Sequence, residues 1–230
     1  MTLPVILPLK YVNVSKSRLG NILGKNKTYL VIALIEDMIS LLKKFPETEI
    51  YLLTKKENMA LITKDLGVKI IFEDEEDLNK ALEKGVNILK EKEKKVLILP
   101  LDLPFINERN IKDLIRLSKT QSGIISPSNR DGTSAIMLPI DKKFKFKFGE
   151  KSFQKHFSEF TKKKIPVQVY YSESLYYDLD TVEDIIRVLT IKPNNKTYFL
   201  LKDILSPDII YSNLVDKWLS FFIFGIPKHL

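Results

Sequence analysis

The sequence predicts an α/β protein with a doubly wound, mostly parallel sheet and an α-helical C-terminal extension. Short apolar segments alternate with longer amphipathic segments from residue 3 to about residue 126. This alternation is typical of parallel strands joined by right-handed crossover helices. Residues 95–99, KVLIL, contain four consecutive aliphatic side chains, the pattern of a strand buried on both faces. We therefore expect this strand to lie centrally in the sheet.

The first half of the chain supplies the elements of that sheet in regular order. Apolar runs predict strands at residues 3–9, 49–54, 68–72 and 123–126, besides the central one. Helical periodicity predicts helices at residues 29–45, 58–65 and from 78 to about 89, and a fourth that Asn107 caps. Each helix is expected to bury one apolar stripe against the sheet.

The regular alternation of predicted strands and helices ends after residue 126. We predict strands at residues 135–138 and 166–171, a helix at 153–162 capped by Ser152, and a helix opened by a Thr181–Asp184 capping box. Residues 142–148 alternate lysine and phenylalanine, which predicts a half-exposed strand with its phenylalanines inward. The alternative is a stacking platform for single-stranded nucleic acid.

Composition excludes several kinds of site. The 230 residues suffice for one large α/β domain, or one domain with an appendage. With no cysteine there can be no disulfide, thiolate metal site or cysteine nucleophile, and two histidines are too few for a histidine-rich metal site. A bound metal would therefore be held by oxygen ligands, which favours magnesium or manganese.

Charge and hydropathy indicate the kind of partner and compartment. The net charge of +8 suits nucleotides, phosphorylated metabolites, nucleic acid or an acidic membrane, without choosing among them. No basic region precedes the first apolar run, and no apolar segment reaches the roughly 20 residues of a membrane helix. We expect a cytoplasmic protein.

A basic loop follows the first strand. Lys10, Lys16 and Arg18, with Ser17 between the last two, leave the strand within one short segment. Phosphate-binding loops in this position commonly use glycines that leave the backbone N–H groups bare, and this loop lacks those glycines. This loop would have to bind phosphate with side chains. The alternative is a solvated basic loop.

Carboxylates follow two separate segments. Asp102 comes after the central strand, between two prolines, where ligands gather in open α/β sheets. Asp178 and Asp180 are two residues apart, so in an extended segment both carboxylates point the same way. Together the three could form a magnesium shell. Asp102 could instead serve a turn, and Asp180 could complement the following helix dipole.

Six short motifs then occur in a particular order. They are KSRL at 16–19, LNKA at 78–81, LPLDLP at 99–104, DGTSA at 131–135, FGEKSF at 148–153 with His156, and DLDT at 178–181. In this order and spacing, residues 3–190 resemble the 2-phospho-L-lactate guanylyltransferase family, nucleotidyltransferases of coenzyme F-420 biosynthesis. The resemblance implies a fold like that of nucleotide-diphospho-sugar transferases, with residues 1–190 as the nucleotidyltransferase domain.

The resemblance also implies an activity and a set of roles. GMP would pass from GTP to 2-phospho-L-lactate, phosphoenolpyruvate or 3-phosphoglycerate, with release of pyrophosphate. The implied catalytic residues are Lys10, Lys16, Arg18 and Asp102; the implied nucleotide contacts are these four with Ser17 and Asn79; the implied acid contacts are Thr133, Gly149 and Ser152; and the implied Mg²⁺ ligands are Asp102, Asp178 and Asp180. The chain departs from the family pattern Gly-Gly-Thr-Asn at Asp131 and Ser134, which affects the expected acid pocket.

Two other functions are compatible with the residues alone. One is another NTP-dependent nucleotidyltransferase on the same fold, and the other is a basic nucleic-acid-binding protein that uses the Lys/Phe segment. Residues 191–230 lie outside the resemblance and carry a late helical apolar stripe around Trp218. We expect this extension to pack on its own domain or on a second copy in a homodimer, with shallow membrane contact as the alternative. The expected partners are thus GTP and a small phosphorylated acid, without nucleic acid or membrane.

Overall fold

A seven-stranded sheet forms the centre of the protein in a computed structural model, which describes residues 2–9, 19–61, 66–90 and 94–205. The strands are Leu3–Leu9 (β1), Thr48–Thr54 (β2), Lys69–Phe72 (β3), Lys95–Ile98 (β4), Gly123–Ser128 (β5), Gly132–Pro139 (β6) and Val167–Val169 (β7). Their order is β3-β2-β1-β4-β6-β5-β7. The predicted mostly parallel sheet is confirmed, with β4 as its middle strand.

One strand runs against the others. β1 pairs in parallel with β2 and β4, β2 with β3, and β5 with β7, whereas β6 is antiparallel to both β4 and β5. The chain reaches β3 on one side of β1 and then crosses to β4 on the other side. This places the topological switch point between β1 and β4, where ligands gather in such sheets.

Helices cover both faces of the sheet. They are Gly20–Leu23 (α1), Lys27–Leu42 (α2), Leu78–Leu89 (α3), Glu108–Ser118 (α4), Ser152–Lys162 (α5), Glu173–Tyr176 (α6), Val182–Ile191 (α7) and Lys196–Ile204 (α8). The predicted helix at 58–65 is instead a 3-10 helix at Lys56–Leu61, as far as the described residues extend. The Asn107 cap and the Thr181–Asp184 capping box are confirmed.

Alternate residues of the strands pack into two separate hydrophobic cores, one on each face of the sheet. In β1, Val5 and Leu7 face a cluster built with α2 and α4, while Ile6 faces a cluster built with α3 and α5. A third cluster joins α2 to α7 and α8 beside the sheet. Burial of strand side chains on both faces is the reason why β4 reads as an uninterrupted aliphatic run.

The Lys/Phe segment is not a strand, contrary to the prediction. Residues 142–148 pair with no strand of the sheet, since both edges of the preceding β6 already pair with β4 and β5. The inward direction of the phenylalanines is confirmed, since Phe144 is 6% and Phe146 is 4% exposed. That burial is inconsistent with a base-stacking platform, which needs accessible rings.

The described part of the C-terminal region packs on the sheet domain. The Asp37 carboxylate of α2 accepts hydrogen bonds from the backbone N–H groups of Lys196 and Thr197 at the start of α8, each at 2.9 Å. Leu201 of α8 is fully buried. The predicted apolar stripe around Trp218 lies outside the described residues. Within the described ranges, no helix has the length and apolar character needed to cross a membrane.

Gly123, the first residue of β5, gives a test of core packing. A Cβ at this position would lie 2.3 Å from Phe160 Cε1 and 3.1 Å from the Met137 carbonyl oxygen. We expect Gly123→Ala to lower the free energy of unfolding by about 1–3 kcal/mol, measured by chemical denaturation, because the core would be overpacked.

Gly85→Ala serves as the matched control. Its Cβ would meet only flexible side-chain atoms, at 3.2 Å from Leu53 Cδ1, inside helix α3. Alanine in a helix interior gains about 0.5–1 kcal/mol over glycine, so we expect little net change. Equal losses in the two variants would contradict this account of the β5 packing.

Candidate active site

A cleft of about 760 Å³ opens at the edge of the sheet where β1, β4 and β5 end. Because β6 is antiparallel, its first residues reach the same edge. The cleft is lined by residues from these strand ends and by α2 and the loops before α5 and α7, among them Leu9, Val31, Leu34, Asp102, Arg130, Thr133, Gly149, Ser152, Asp178 and Asp180. The predicted metal ligands and the predicted acid contacts therefore share one cleft.

The three predicted carboxylates converge. One oxygen from each of Asp102, Asp178 and Asp180 lies within 4.8 Å of the other two, and all three side chains are half-buried. The Leu179 N–H donates a 2.9 Å hydrogen bond to the Asp102 carbonyl and so fastens the two segments together. The Leu179 side chain is fully buried in the third cluster. With that side chain inward, its two neighbours face the cleft.

Arg130 lies against this acidic cluster and was not predicted. Its Nη2 donates to Asp178 Oδ1 at 2.5 Å and to Asp184 Oδ2 at 3.3 Å, and it lies 3.9 Å from Asp180 Oδ2. Burial alone would lower the pKa of Arg130, but the charges of the three carboxylates outweigh burial and raise it. The guanidinium therefore stays charged and offsets part of the repulsion among the carboxylates.

Asp184 holds the carboxylate loop in shape and was predicted only as a helix cap. Besides Arg130, its Oδ2 accepts hydrogen bonds from Asp180 N at 3.0 Å, Thr181 N at 2.8 Å and Thr181 Oγ1 at 3.0 Å. Its side chain is only 6% exposed. A buried carboxylate with these donors is satisfied, and it fixes the turn on which Asp178 and Asp180 stand.

A tight turn between β5 and β6 carries Arg130 to the cleft. Arg130 and Asp131 both have positive φ, 58° and 57°, as in the turns that suit twisted hairpins. The Gly132 N–H closes this turn on the Asn129 carbonyl at 3.3 Å. A Cβ on Gly132 would lie 2.2 Å from Ser128 Oγ, which explains the glycine of the DGTSA motif.

The three predicted acid contacts form a second group in the cleft. Ser152 Oγ and Thr133 Oγ1 are 3.2 Å apart, and both residues are buried. Gly149 has φ +123°, a conformation that favours glycine. Ser152 is not the predicted N-cap: Lys151 takes that position with φ 53° and makes no side-chain cap, and Ser152 is the first helical residue. Its hydroxyl is thereby directed to Thr133.

His156 lies directly behind these hydroxyls. Its Nδ1 is 3.0 Å from Thr133 Oγ1, and its Nε2 accepts a 2.8 Å hydrogen bond from the Lys147 backbone N–H. Burial, with a smaller contribution from the Lys147 charge, lowers its pKa to about 4. The ring is therefore neutral near pH 7.

Asn79 and Ser134 belong to positions of the family resemblance. Both side chains form hydrogen bonds to backbone atoms, and neither lines the cleft. The Asn79 amide accepts from Phe148 N at 2.6 Å and donates to Phe148 O at 3.3 Å, so it positions the loop that carries Gly149. Ser134 Oγ donates to the Pro127 carbonyl at 3.1 Å, next to the irregular pairing of β5 with β6. The nucleotide contact of Asn79 remains a prediction.

The basic residues predicted at the first loop, Lys10, Lys16, Ser17 and Arg18, lie outside the described residues. Leu9, which immediately precedes Lys10 in the sequence, lines the cleft. The residues that sequence reasoning missed are Arg130 and the site roles of Asp184 and His156. Arg130 directly precedes the DGTSA motif, and His156 belongs to a motif but was given no role. The positions of both residues in the sequence therefore pointed to the site, but nothing in the sequence indicated what they contact.

Comparisons with known proteins give a consistent result. A family described as guanylyl transferase CofC like matches residues 3–209. A 2-phospho-L-lactate guanylyltransferase of Methanobrevibacter smithii is 30% identical over 202 residues, which cover 86% of this chain and 89% of that relative. A phosphoenolpyruvate guanylyltransferase of Thermobaculum terrenum is 27% identical over 213 residues, 91% of this chain and 92% of that relative.

The fold has solved counterparts as well. A proposed nucleotide-diphospho-sugar transferase from Desulfovibrio desulfuricans G20 superimposes with a TM-score of 0.76 at 17% identity, over 92% of this chain and 98% of that chain. At this identity the likeness concerns the fold. It confirms the nucleotide-diphospho-sugar-transferase-like architecture expected from the motifs.

Asp184 gives a test of how the carboxylate loop is held. We expect Asp184→Ala to lower the free energy of unfolding by about 1–3 kcal/mol, because two backbone N–H groups and Arg130 lose their acceptor. Asp184→Asn retains one oxygen for the N–H groups and should cost less. Thermal and chemical denaturation of both variants measure the difference, and an Ala variant as stable as the wild type would contradict the assigned role.

Proposed function

The chain belongs to the CofC-like guanylyl transferase family, and on that premise we propose that it transfers GMP from GTP to a small phosphorylated acid in coenzyme F-420 biosynthesis, releasing pyrophosphate. The acid is 2-phospho-L-lactate, phosphoenolpyruvate or 3-phosphoglycerate. The observation that supports this most directly is the cleft itself. It combines three convergent carboxylates with a separate group of hydroxyl donors.

The reaction asks for little acid–base chemistry. An oxygen of the acid's phosphate forms a bond to the α-phosphorus of GTP, and the bond from that phosphorus to the β-phosphate oxygen breaks. A phosphate monoester with a second pKa of about 6 is already mostly ionised near neutral pH, so the attacking oxygen needs no general base. The cleft therefore has to align two anions and reduce their repulsion.

Thr133, Gly149 and Ser152 are proposed to bind the acid. The two hydroxyls can donate to phosphate or carboxylate oxygens, and Gly149 leaves the approach to the backbone open because it carries no side chain. The N-terminus of α5, at Ser152, adds the positive end of a helix dipole to the same group. The arrangement suits an anion.

The basic loop is proposed to bind the triphosphate. Lys10, Lys16, Ser17 and Arg18 would contact the phosphates of GTP, and Lys10, Lys16 and Arg18 would stabilise the charge of departing pyrophosphate. The position of Leu9 on the cleft wall supports this assignment, since the loop continues from it. Asn79 is proposed to act near the nucleotide through the loop at Phe148.

A divalent cation fits the carboxylate cluster. Asp102, Asp178 and Asp180 provide hard oxygen ligands from two segments that are fastened together, which suits Mg²⁺. When bound, Mg²⁺ would offset part of the negative charge of the reacting phosphates. Arg130 contacts Asp178, so a cation and Arg130 would share that carboxylate.

The proposal also covers domain organisation and cellular compartment. Residues 1–190 would form the catalytic domain, with 191–230 as a helical extension that packs on it or on a second copy of the chain. We place the reaction in the cytoplasm, where GTP is made. No nucleic acid or membrane is needed for it.

The test of the activity is a pyrophosphate-release assay. Wild-type protein, GTP and Mg²⁺ are incubated with each of the three acids, and pyrophosphate is followed over time. We expect release with at least one acid, and none with unphosphorylated lactate, because the attacking group is the phosphate. Replacing GTP by ATP, CTP or UTP measures the base preference. If folded protein releases no pyrophosphate with any acid, the proposed activity must be abandoned.

Asp102 gives a sharper test of the carboxylate cluster. We expect Asp102→Asn to lower turnover at least about a hundredfold, because one charged ligand of the cluster is lost at the reacting phosphates. The melting temperature should stay close to that of the wild type, since the backbone contact to Leu179 is unchanged. Asp141→Asn is the control: its side chain is 70% exposed beyond the end of β6, at the opposite edge of the sheet. Similar activity in the two variants would remove Asp102 from the site.

A further inference from the structure

His156 is a buried, neutral histidine whose role neither the motifs nor the proposed chemistry explains. The His156 ring is fully buried, with ring centroids of Phe148, Phe144 and Phe146 at 4.7, 6.1 and 6.4 Å. Aromatic packing alone would be served as well by a phenylalanine. Both ring nitrogens, however, have polar partners.

The partners of His156 determine which nitrogen carries the proton. The Lys147 backbone N–H can only donate, so Nε2 must be the acceptor. A neutral ring has one proton, which therefore sits on Nδ1 and is donated to Thr133 Oγ1 over 3.0 Å. The reverse tautomer would place two N–H groups against each other at Lys147.

This tautomer restricts the hydroxyl of Thr133. Since its oxygen receives the Nδ1 proton, its own hydrogen cannot point to the ring and must go to Ser152 or into the cleft. Thr133 and Ser152 share one hydrogen bond of 3.2 Å, which uses one of their two hydroxyl hydrogens. The other hydrogen has no acceptor within the group of three side chains, and both residues line the cleft.

We propose that His156 is a positioning residue for the acid: by donating from Nδ1 to Thr133 it commits the Thr133–Ser152 pair to donate one hydrogen bond to an anionic oxygen of the substrate. This inference rests on the proposed function, because it names what holds the proposed acid contacts in their donating state. His156 does not touch the substrate. It acts by orienting the Thr133 and Ser152 hydroxyls. The pair therefore favours a ligand whose oxygens accept hydrogen bonds and donate none.

Two variants separate positioning from packing. His156→Phe keeps an aromatic ring in the phenylalanine cage but removes both polar contacts, and Thr133 is then free to rotate away from the cleft. His156→Gln can again present one acceptor and one donor. We expect His156→Phe to raise the KM for the acid about tenfold to a hundredfold while the KM for GTP changes little, since one hydrogen bond to a charged group is lost. His156→Gln should recover part of that loss.

A purely structural role predicts a different pattern. In that case stability would fall, the two KM values would move together, and Gln would be no better than Phe. An unchanged KM for the acid in folded His156→Phe would overturn the proposal. Absence of turnover in the wild type with every acid would instead reject the proposed function, so the two failures are distinguishable.

The tautomer itself can be measured on the wild-type protein without any turnover. The chain has only two histidines, so ¹⁵N-histidine labelling gives two ring systems, and a His229→Gln variant assigns them. We expect the Nδ1-protonated form of His156, unchanged down to about pH 5 because its pKa is lowered to about 4. Adding 2-phospho-L-lactate, phosphoenolpyruvate and 3-phosphoglycerate in turn should shift its Nδ1 signal with at least one of them. An Nε2-protonated ring, or a signal that responds to none of the three acids, would overturn the proposal even if His156→Phe does not fold.

Discussion

The active-site geometry depends on a contact between two segments that are distant in sequence. The Leu179 N–H bonds the carbonyl of Asp102, and the Leu179 side chain is fully buried in the cluster formed by α2, α7 and α8. Like charges repel, so carboxylates do not assemble unaided. Here the burial of an apolar side chain and a backbone hydrogen bond provide the free energy that brings them together. Helices α7 and α8 therefore contribute to the site although they do not line the cleft.

Two residues reduce the energetic cost of placing the three carboxylates together: Arg130 supplies a positive charge, and Asp184 holds the loop in shape. Arg130 reaches Asp178 and Asp184, and Asp184 also accepts the backbone N–H groups of the loop that carries Asp178 and Asp180. The same carboxylate thus caps α7 and shapes the loop. One residue, Asp184, serves both the start of helix α7 and the loop that carries Asp178 and Asp180.

Much of this arrangement could be predicted from the sequence, for physical reasons. Asp102 follows an uninterrupted aliphatic run, and a strand buried on both faces must end at an edge of the sheet. The spacing of Asp178 and Asp180 gives their common direction. What failed depends on tertiary pairing or rare backbone states. The Lys/Phe segment lacks strand partners because β6 is already paired on both sides, and Ser152 is displaced from the cap by a left-handed Lys151. Arg130 could not be matched to Asp178 without the fold.

The turn between β5 and β6 has a consequence for how the two halves of the cleft communicate. Arg130 in this turn grips Asp178, while the next residue, Asp131, accepts the Phe153 N–H of α5 through its carbonyl at 3.1 Å. The Arg130 contact to the carboxylates and the Asp131 contact to the α5 terminus come from adjacent residues of one turn. A displacement of this turn would therefore move both contacts together. If the carboxylates and the α5 terminus each bind a ligand and the turn couples them, thermodynamic reciprocity requires each ligand to alter the affinity of the other by the same factor.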